Sequence, residues 1–310
     1  MRSEAAADAT HCGTTLVVRD SLPMLRSLVC TRPPLLRLRT MTDFQAKSAL
    51  HTAAPTAESN TVAASAGPST SQTKVTSHNQ YHTSGLDQTD LLPNPLALFQ
   101  KWFEGAQSDG VKEPEAMLIS TCDTSSDPPR PSSRVVLLKS IHPTEGLTFY
   151  SNYLSRKGRE ISANTNVSAV FYWRETHRSV RFLGKARKVD ASESQEYFDS
   201  RPVGSRIGAW SSPQSTVVNS RQELEDKVRE TENRFNAPGA AGLEGDAEYK
   251  GGDVKIPVPD FWGGYRIEPY EVEFWCGRPN RLHDRFCYTR PYGSAELAGL
   301  DKWQVNRLAP

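Results

Sequence analysis

Apolar positions are sparse and aperiodic up to about residue 92, and dense and periodic from there on. Runs such as "HTAAPTAESNTVAASAGPSTSQTKVTSHNQ" are rich in Ser, Thr and Ala. They offer too little apolar surface to offset the entropy of ordering, so residues 1–92 are expected to form a disordered extension. From 93 to 310 the pattern reads as one domain. "NPLALFQKWFEGAQSDG" predicts a helix with Asn94 as N-cap, Pro95 at the first helical position and Gly110 as the stop. Leu96, Phe99, Trp102, Phe103 and Ala106 line one stripe of it, which marks a docking helix.

The segments "AMLIST", "SRVVLLKS", "LTFYSN", "VSAVFYW", "SVRFLGKARKV", "GYRIEP", "EVEFWCG", "RLHDRFCY" and "WQVNRLAP" have strand character. Most are short, bounded by turn residues and rich in β-branched or aromatic side chains, several with a period of two. Helices are expected at "SRKGREISAN" with Ser155 as N-cap, at "SESQEYFDSR" with a Ser192 to Gln195 capping box, and at "SRQELEDKVRETENRF" with a Ser220 to Glu223 box. The class is therefore mainly β with helices (α+β), an antiparallel barrel or sandwich. A Gly/Ala/acid stretch at 237–254 reads as a flexible surface insertion.

Composition narrows the partners. Lys and Arg number 37 against 36 Asp and Glu, a net charge of +1, so there is no global basic field. Neither nucleic acid nor an anionic membrane is an expected partner, and a basic β-ribbon on RNA is disfavoured. The cysteines at 12, 30, 122, 276 and 287 form no C-x-x-C pair, which predicts a reducing compartment and no metal site. No apolar run is long enough to span a bilayer. A cytoplasmic location is expected, with mitochondrial as the alternative. "SLPMLRSLVCTRPPLLRLRTM" carries arginines and no acid, but Pro33 and Pro34 would break an amphipathic helix there.

Local charge is more informative than the total. In "LSRKGRE", Arg156 and Lys157 stand in the first helical turn, against the macrodipole. Either they flank a bound anion, most simply a phosphate, or they form a solvated turn. Tyr197 and Arg201 are four apart, with Ser205 following: a phosphate cradle, or a core tyrosine and a C-terminal helix cation. Arg134 and Lys139 close an apolar strand. In "NRLHDRFCYTR", extended geometry would put Arg281, His283 and Arg285 on one face and Asp284 on the other, either as a line of donors or as a protected edge. Gln214 and Ser215 lie in a turn, "SPQS".

In order, "SRVVLLK", "FYSNYLSRKGREI", "YFDSRPVGSRIGAW", "SPQS", "PDFWGGYRI" and "VEFWCGRPNRLHDRF", through to "NRLAP", resemble the pyridoxine/pyridoxamine 5′-phosphate oxidases. The resemblance runs from about residue 93 to 310, and "RLHDR" is its most specific element. It implies an FMN-binding split β-barrel flanked by helices, working as a homodimer with flavin at the subunit interface. By the same resemblance, Arg134, Val135, Val136, Leu137, Leu138 and Lys139 would run along the flavin. Tyr150, Ser151, Arg156, Lys157, Gln214, Ser215, Trp275 and Arg285 would also bind it. Lys139, Tyr197, Arg201 and Ser205 would take the substrate phosphate, and Arg281 and His283 would be the catalytic pair beside the pyridine ring. Two departures stand out: Ser179 where many members carry glutamine, and Cys276 after Trp275. The implied reaction is oxidation of pyridoxamine or pyridoxine 5′-phosphate to pyridoxal 5′-phosphate with O2 as acceptor. The alternative is a non-catalytic flavin- or pyridoxal-phosphate-binding module on the same barrel.

Overall fold

A computed structural model describes residues 74–75, 80–242, 249–252, 254–291 and 303–310, all within the compact unit Thr73–Pro310. Nine antiparallel strands make one sheet: β1 (Ala116–Asp123), β2 (Arg130–Leu137), β3 (Ser140–His142), β4 (Gly146–Asn152), β5 (Asn166–Trp173), β6 (Arg178–Lys188), β7 (Trp262–Cys276), β8 (Asp284–Thr289) and β9 (Gln304–Arg307). The order is β2-β1-β5-β6-β7-β4-β3, with β8 on β7 and β9 on β8. These pairings do not close into a ring, so the split-barrel expectation holds as an open antiparallel sheet. "GYRIEP" and "EVEFWCG", read above as two strands, are one: β7 runs through both and absorbs its irregularity at a register shift opposite Leu183 and Gly184.

Strand parity divides the sheet into a buried and an open face. Met117, Ile119, Ala169, Phe171, Phe182 and Phe274 are fully buried on the first. Helix α1 (Pro95–Ser108) lies against it. Phe99 meets Phe171 at 4.8 Å and Phe182 edge-on at 4.9 Å, and the Asn94 side chain accepts from Leu96 N–H as its cap. Burying each such ring stabilises by roughly 1.5–3 kcal/mol, which makes this helix the main anchor of the core.

A second cluster forms around α3 (Ala191–Asp199) and α4 (Val203–Ser211), with α5 (Arg221–Arg234) packed on α4. α2 (Arg156–Ala163) lies on β1, capped by Ser155 as its sequence predicts. The cap of α3 differs from expectation. The helix begins after Asp190, so Ser192 lies inside it and forms no capping box. For α5 the Ser220 cap is present, while the Glu223 carboxylate accepts from Asn219 rather than closing the box.

Two boundaries move. Residues 80–92, grouped by composition with the extension, pack on the domain: Leu86 is buried and its N–H donates to Asp284 Oδ2 at 3.1 Å. Gly85 permits this approach, since its φ is +88° and a Cβ there would lie 2.7 Å from both Arg278 Nη1 and Asp284 Oδ2. The composition of this segment is polar, and its few apolar side chains carry no period, which is why the pattern missed it. The insertion expected at 237–254 has packed ends: Ala237 and Ala240 are fully buried, and Val254 is also buried. Its central part, 243–248, lies outside the described residues, as does the arginine-rich segment before residue 41. Among the described residues no helix is long and apolar enough to cross a membrane.

Candidate functional site

Two cavities open on the sheet, and the residues singled out above divide between them. The larger, about 910 Å³, is lined by Arg134, Val135, Val136, Leu137 and Lys139 from β2 and its exit, and by Tyr150 and Ser151 from β4. Lys157, Tyr197, Arg201, Ser205, Gln214 and Ser215 add to its polar lining, with Trp262 at the start of β7. Leu138, just past the end of β2, does not line it; its side chain is buried in the core. Arg156 also stands outside; its guanidinium is tied through Nε to Glu160 Oε1 at 2.8 Å, one helical turn on.

Lys157 is buried, and three neutral oxygens receive its ammonium: Ser151 Oγ at 3.0 Å, Gln214 Oε1 at 2.9 Å and Ser155 Oγ at 3.3 Å. Burial, reinforced by nearby Arg134, pulls its pKa down to about 8. Arg201 is placed by the turn between α3 and α4, over the Trp262 ring at 4.9 Å. Its Nη1 is buried with no hydrogen-bond partner, and no carboxylate pairs with it among the described residues. Leaving a buried donor unpaired costs roughly 1–3 kcal/mol, more for a charged group, so this one calls for an anion. Tyr197 stacks on Tyr150 at 3.9 Å and presents an aromatic wall beside it. The cavity thus fits phosphate groups, with aromatic faces between its cations.

The smaller cavity, about 460 Å³, is lined by Tyr81, Val170, Tyr172, Ser179, Arg181, Glu273, Trp275 and Arg285. Its charges are already balanced. Arg285 donates through Nε to Glu273 Oε1 at 2.7 Å, and Arg181 reaches Glu273 Oε2 at 2.7 Å and Glu271 at 2.8 Å. Burial would raise the Glu273 pKa, but the hydrogen bonds from Arg181 and Arg285 outweigh it and hold the carboxyl below its ordinary range.

Arg281 and His283 line neither cavity, and the strand predicted through them is absent. Pro279–Arg281 form a 3₁₀ turn with Asn280 and Arg281 at positive φ, and β8 begins only at Asp284. The parity that put Arg281, His283 and Arg285 on one face therefore does not apply. The turn nevertheless brings His283 against Trp275, ring centroids 4.7 Å apart, with Tyr81 edge-on at 5.3 Å. His283 Nδ1 accepts from Arg278 N–H at 3.1 Å, which leaves Nε2 as the donor of the neutral ring. Burial, and then Arg281, lower its pKa, with Asp284 opposing.

A single sheet face joins the two cavities. Cross-strand pairing sets Val135 beside Leu118 and Leu118 beside Val170; two residues along, Tyr172, Ser179, Trp275 and Arg285 form the next row. Val135 is 64% exposed and Tyr172 55%, with Leu118 and Leu137 also open. Such a contiguous apolar patch between two polar cavities is the mark of an interaction surface.

Glu160, Glu273, Tyr81 and Trp262 were not singled out in the sequence. For Glu160 a signal existed in its i,i+4 spacing from Arg156; for Tyr81 none did, within a stretch of polar composition.

Two family models match the chain: one described as pyridoxamine 5′-phosphate oxidase over residues 103–235, the other as pyridoxine 5′-phosphate oxidase C-terminal dimerisation region over 262–310. Proteins named pyridoxine/pyridoxamine 5′-phosphate oxidase from Burkholderia thailandensis and Burkholderia pseudomallei are each 43% identical over 230 residues, covering 74% of this chain and 95% of theirs. The crystal structure of PhzG from Burkholderia lata, in complex with tetrahydrophenazine-1-carboxylic acid, superposes with a TM-score of 0.60 at 28% identity. It covers 73% of this chain and 98% of that one.

Proposed function

Because the chain belongs to the pyridoxine/pyridoxamine 5′-phosphate oxidase family, an oxidoreductase family, we propose that it oxidises pyridoxamine or pyridoxine 5′-phosphate to pyridoxal 5′-phosphate, using FMN and dioxygen. The observation that carries this reading is the buried, unpartnered Nη1 of Arg201 in a cavity that also presents Lys139, Tyr197 and Ser205. Those groups would clamp the substrate phosphate, and Lys157, Ser151, Gln214, Ser215 and Arg134 would hold the cofactor. When bound, the flavin supplies a two-electron acceptor that dioxygen returns to its oxidised form, yielding hydrogen peroxide, and ammonia when the substrate is the amine.

The chain's own contribution is orientation. A phosphate held remotely at Arg201 fixes the position of the substrate's reactive carbon, so the reaction gains the advantage of an intramolecular one. His283, neutral and with Nε2–H free to donate, orients the pyridine ring together with Arg281. Trp275 and Arg285 belong to the cofactor set but line the other cavity, so we assign them to the site of a second copy. The exposed face carrying Val135, Leu118 and Tyr172 is where that copy would bind, giving a homodimer with two shared sites.

An absorbance spectrum followed by anaerobic titration with pyridoxamine 5′-phosphate tests the reading. Flavin bands that bleach on titration, with pyridoxal phosphate formed, are expected. A yellow protein that neither bleaches nor forms pyridoxal phosphate would leave only the binding module.

A further inference from the structure

Beneath the larger cavity lies a carboxylate to which the reaction assigns nothing. Glu160, one helical turn after Arg156 in α2, is 6% exposed and takes four donors. Ser132 Oγ donates to its Oε2 at 2.7 Å, and Thr121 Oγ1 to the same oxygen. Arg134 Nη2 reaches that oxygen at 3.2 Å, and Arg156 Nε reaches Oε1 at 2.8 Å. The two hydroxyls work in both directions, since Arg134 Nη1 donates to Thr121 Oγ1 and Nη2 to Ser132 Oγ, each at 2.6 Å. One acid on a helix and two hydroxyls on neighbouring strands therefore fix one guanidinium plane and tether a second. Burial alone would raise the Glu160 pKa; the hydrogen bonds from Thr121, Ser132, Arg156 and Arg134 outweigh it and bring it down to about 2, so the group is ionised at every working pH.

We propose that Glu160 is a positioning residue for the cofactor phosphate: it orients Arg134 and Arg156 and so sets the preference for a phosphorylated over an unphosphorylated flavin. The inference rests on the FMN reading above. Charge supports it: Glu160 offsets Arg156, which stands outside the cavity, so Arg134 and Lys157 inside it present two positive charges, which match the roughly −1.5 to −2 of a phosphomonoester at pH 7. Three cations without the acid would repel one another and splay; with it, two are held and the third, Lys157, stays free of any carboxylate.

The test compares Kd for FMN and for riboflavin, measured by flavin fluorescence on the full-length apoprotein. In Glu160→Gln, the FMN-over-riboflavin preference is expected to fall about tenfold, the weight of a charge-assisted hydrogen bond, while riboflavin affinity stays within about twofold. Ser132→Ala, which cuts one relay and keeps the acid, should lower the same ratio about threefold, and it decides the matter if Glu160→Gln does not fold. Equal loss for both flavins would make Glu160 a structural residue and overturn the proposal. So would an unchanged ratio, or a raised one, which would mean that only its charge matters. A wild-type protein with no preference for FMN would instead overturn the cofactor reading itself.

Discussion

The two cavities share one sheet but differ in charge accounting. The larger is lined by Arg134, Lys139, Lys157 and Arg201 and by no carboxylate; Glu160 holds Arg134 from outside the lining, and Arg201 Nη1 is left without a partner. In the smaller, Arg181 and Arg285 are matched by Glu271 and Glu273, and the rest of the lining is largely aromatic or small. The first has a deficit that only an added anion removes; the second is satisfied and offers ring faces. A cation therefore signals an anion site by the absence of its partner, and Arg285, a cation with its partner in place, does not.

Removing the unpartnered cation should have the largest effect. Arg201→Ala is expected to raise the KM for pyridoxamine 5′-phosphate about a hundredfold, the equivalent of losing roughly 3 kcal/mol of charged hydrogen bonding. Turnover of unphosphorylated pyridoxamine should change little. Steady-state kinetics on both substrates checks this, and an unchanged KM for the phosphorylated one would remove the clamp.

The division between cavities can be broken by mixing. Arg201→Ala spoils the larger half-site and Arg285→Ala the smaller, so each homodimer alone should be nearly inactive. Unfolded and refolded together at equal amounts, the two should recover about a quarter of wild-type activity, because half the dimers are mixed and each of those carries one intact site. No recovery would place both residues in a site built by one chain.

Much of this was legible in the residues, and the exceptions share a cause. Asn94, Ser155 and Ser220 announce their helices because capping is local, and the strands announce themselves by alternation. The cation-rich stretch around His283 misled because parity presumes a strand, and two positive-φ residues, Asn280 and Arg281, are invisible to that count. Tyr81 and Leu86 could not be found, since what orders them is remote in sequence: Asp284 accepts from Leu86 N–H, and the rings of His177, Trp275 and His283 meet Tyr81 edge-on. The division of these residues between two cavities was likewise unreadable. Trp275 and Arg285 look no different from the other residues expected at the cofactor until strand order sets them on β7 and β8, across the sheet from β2.

Lys157 offers a graded test confined to the larger cavity. Its pKa in the free protein lies at about 8, lowered first by burial, and an anion favours its charged form. FMN affinity should therefore be highest below pH 8 and fall as pH rises through that value, by up to about tenfold per unit, with proton uptake on binding near pH 8. The phosphate, with a second pKa near 6, contributes no titration in that window. Isothermal titration in two buffers of different ionisation heat measures the uptake. Lys157→Met should bind weakly and without this slope.

Ser179, a neutral residue of the smaller cavity outside its charge network, should answer most mildly. Ser179 lies directly across β6 and β7 from Trp275 and lines the open space with a short side chain. Ser179→Gln adds an amide that can reach into that space without crossing the Arg181, Glu273 and Arg285 network, and one neutral hydrogen bond is worth about 0.5–1.5 kcal/mol. FMN should therefore bind a few-fold more tightly, and riboflavin by the same factor, since the contact would be to the ring and not to the phosphate. Glu160→Gln should alter the ratio of the two affinities, whereas Ser179→Gln should alter both affinities and leave the ratio alone. If Ser179→Gln changed the ratio instead, the phosphate would reach the smaller cavity, and the separation of an anion half from a ring half would be lost.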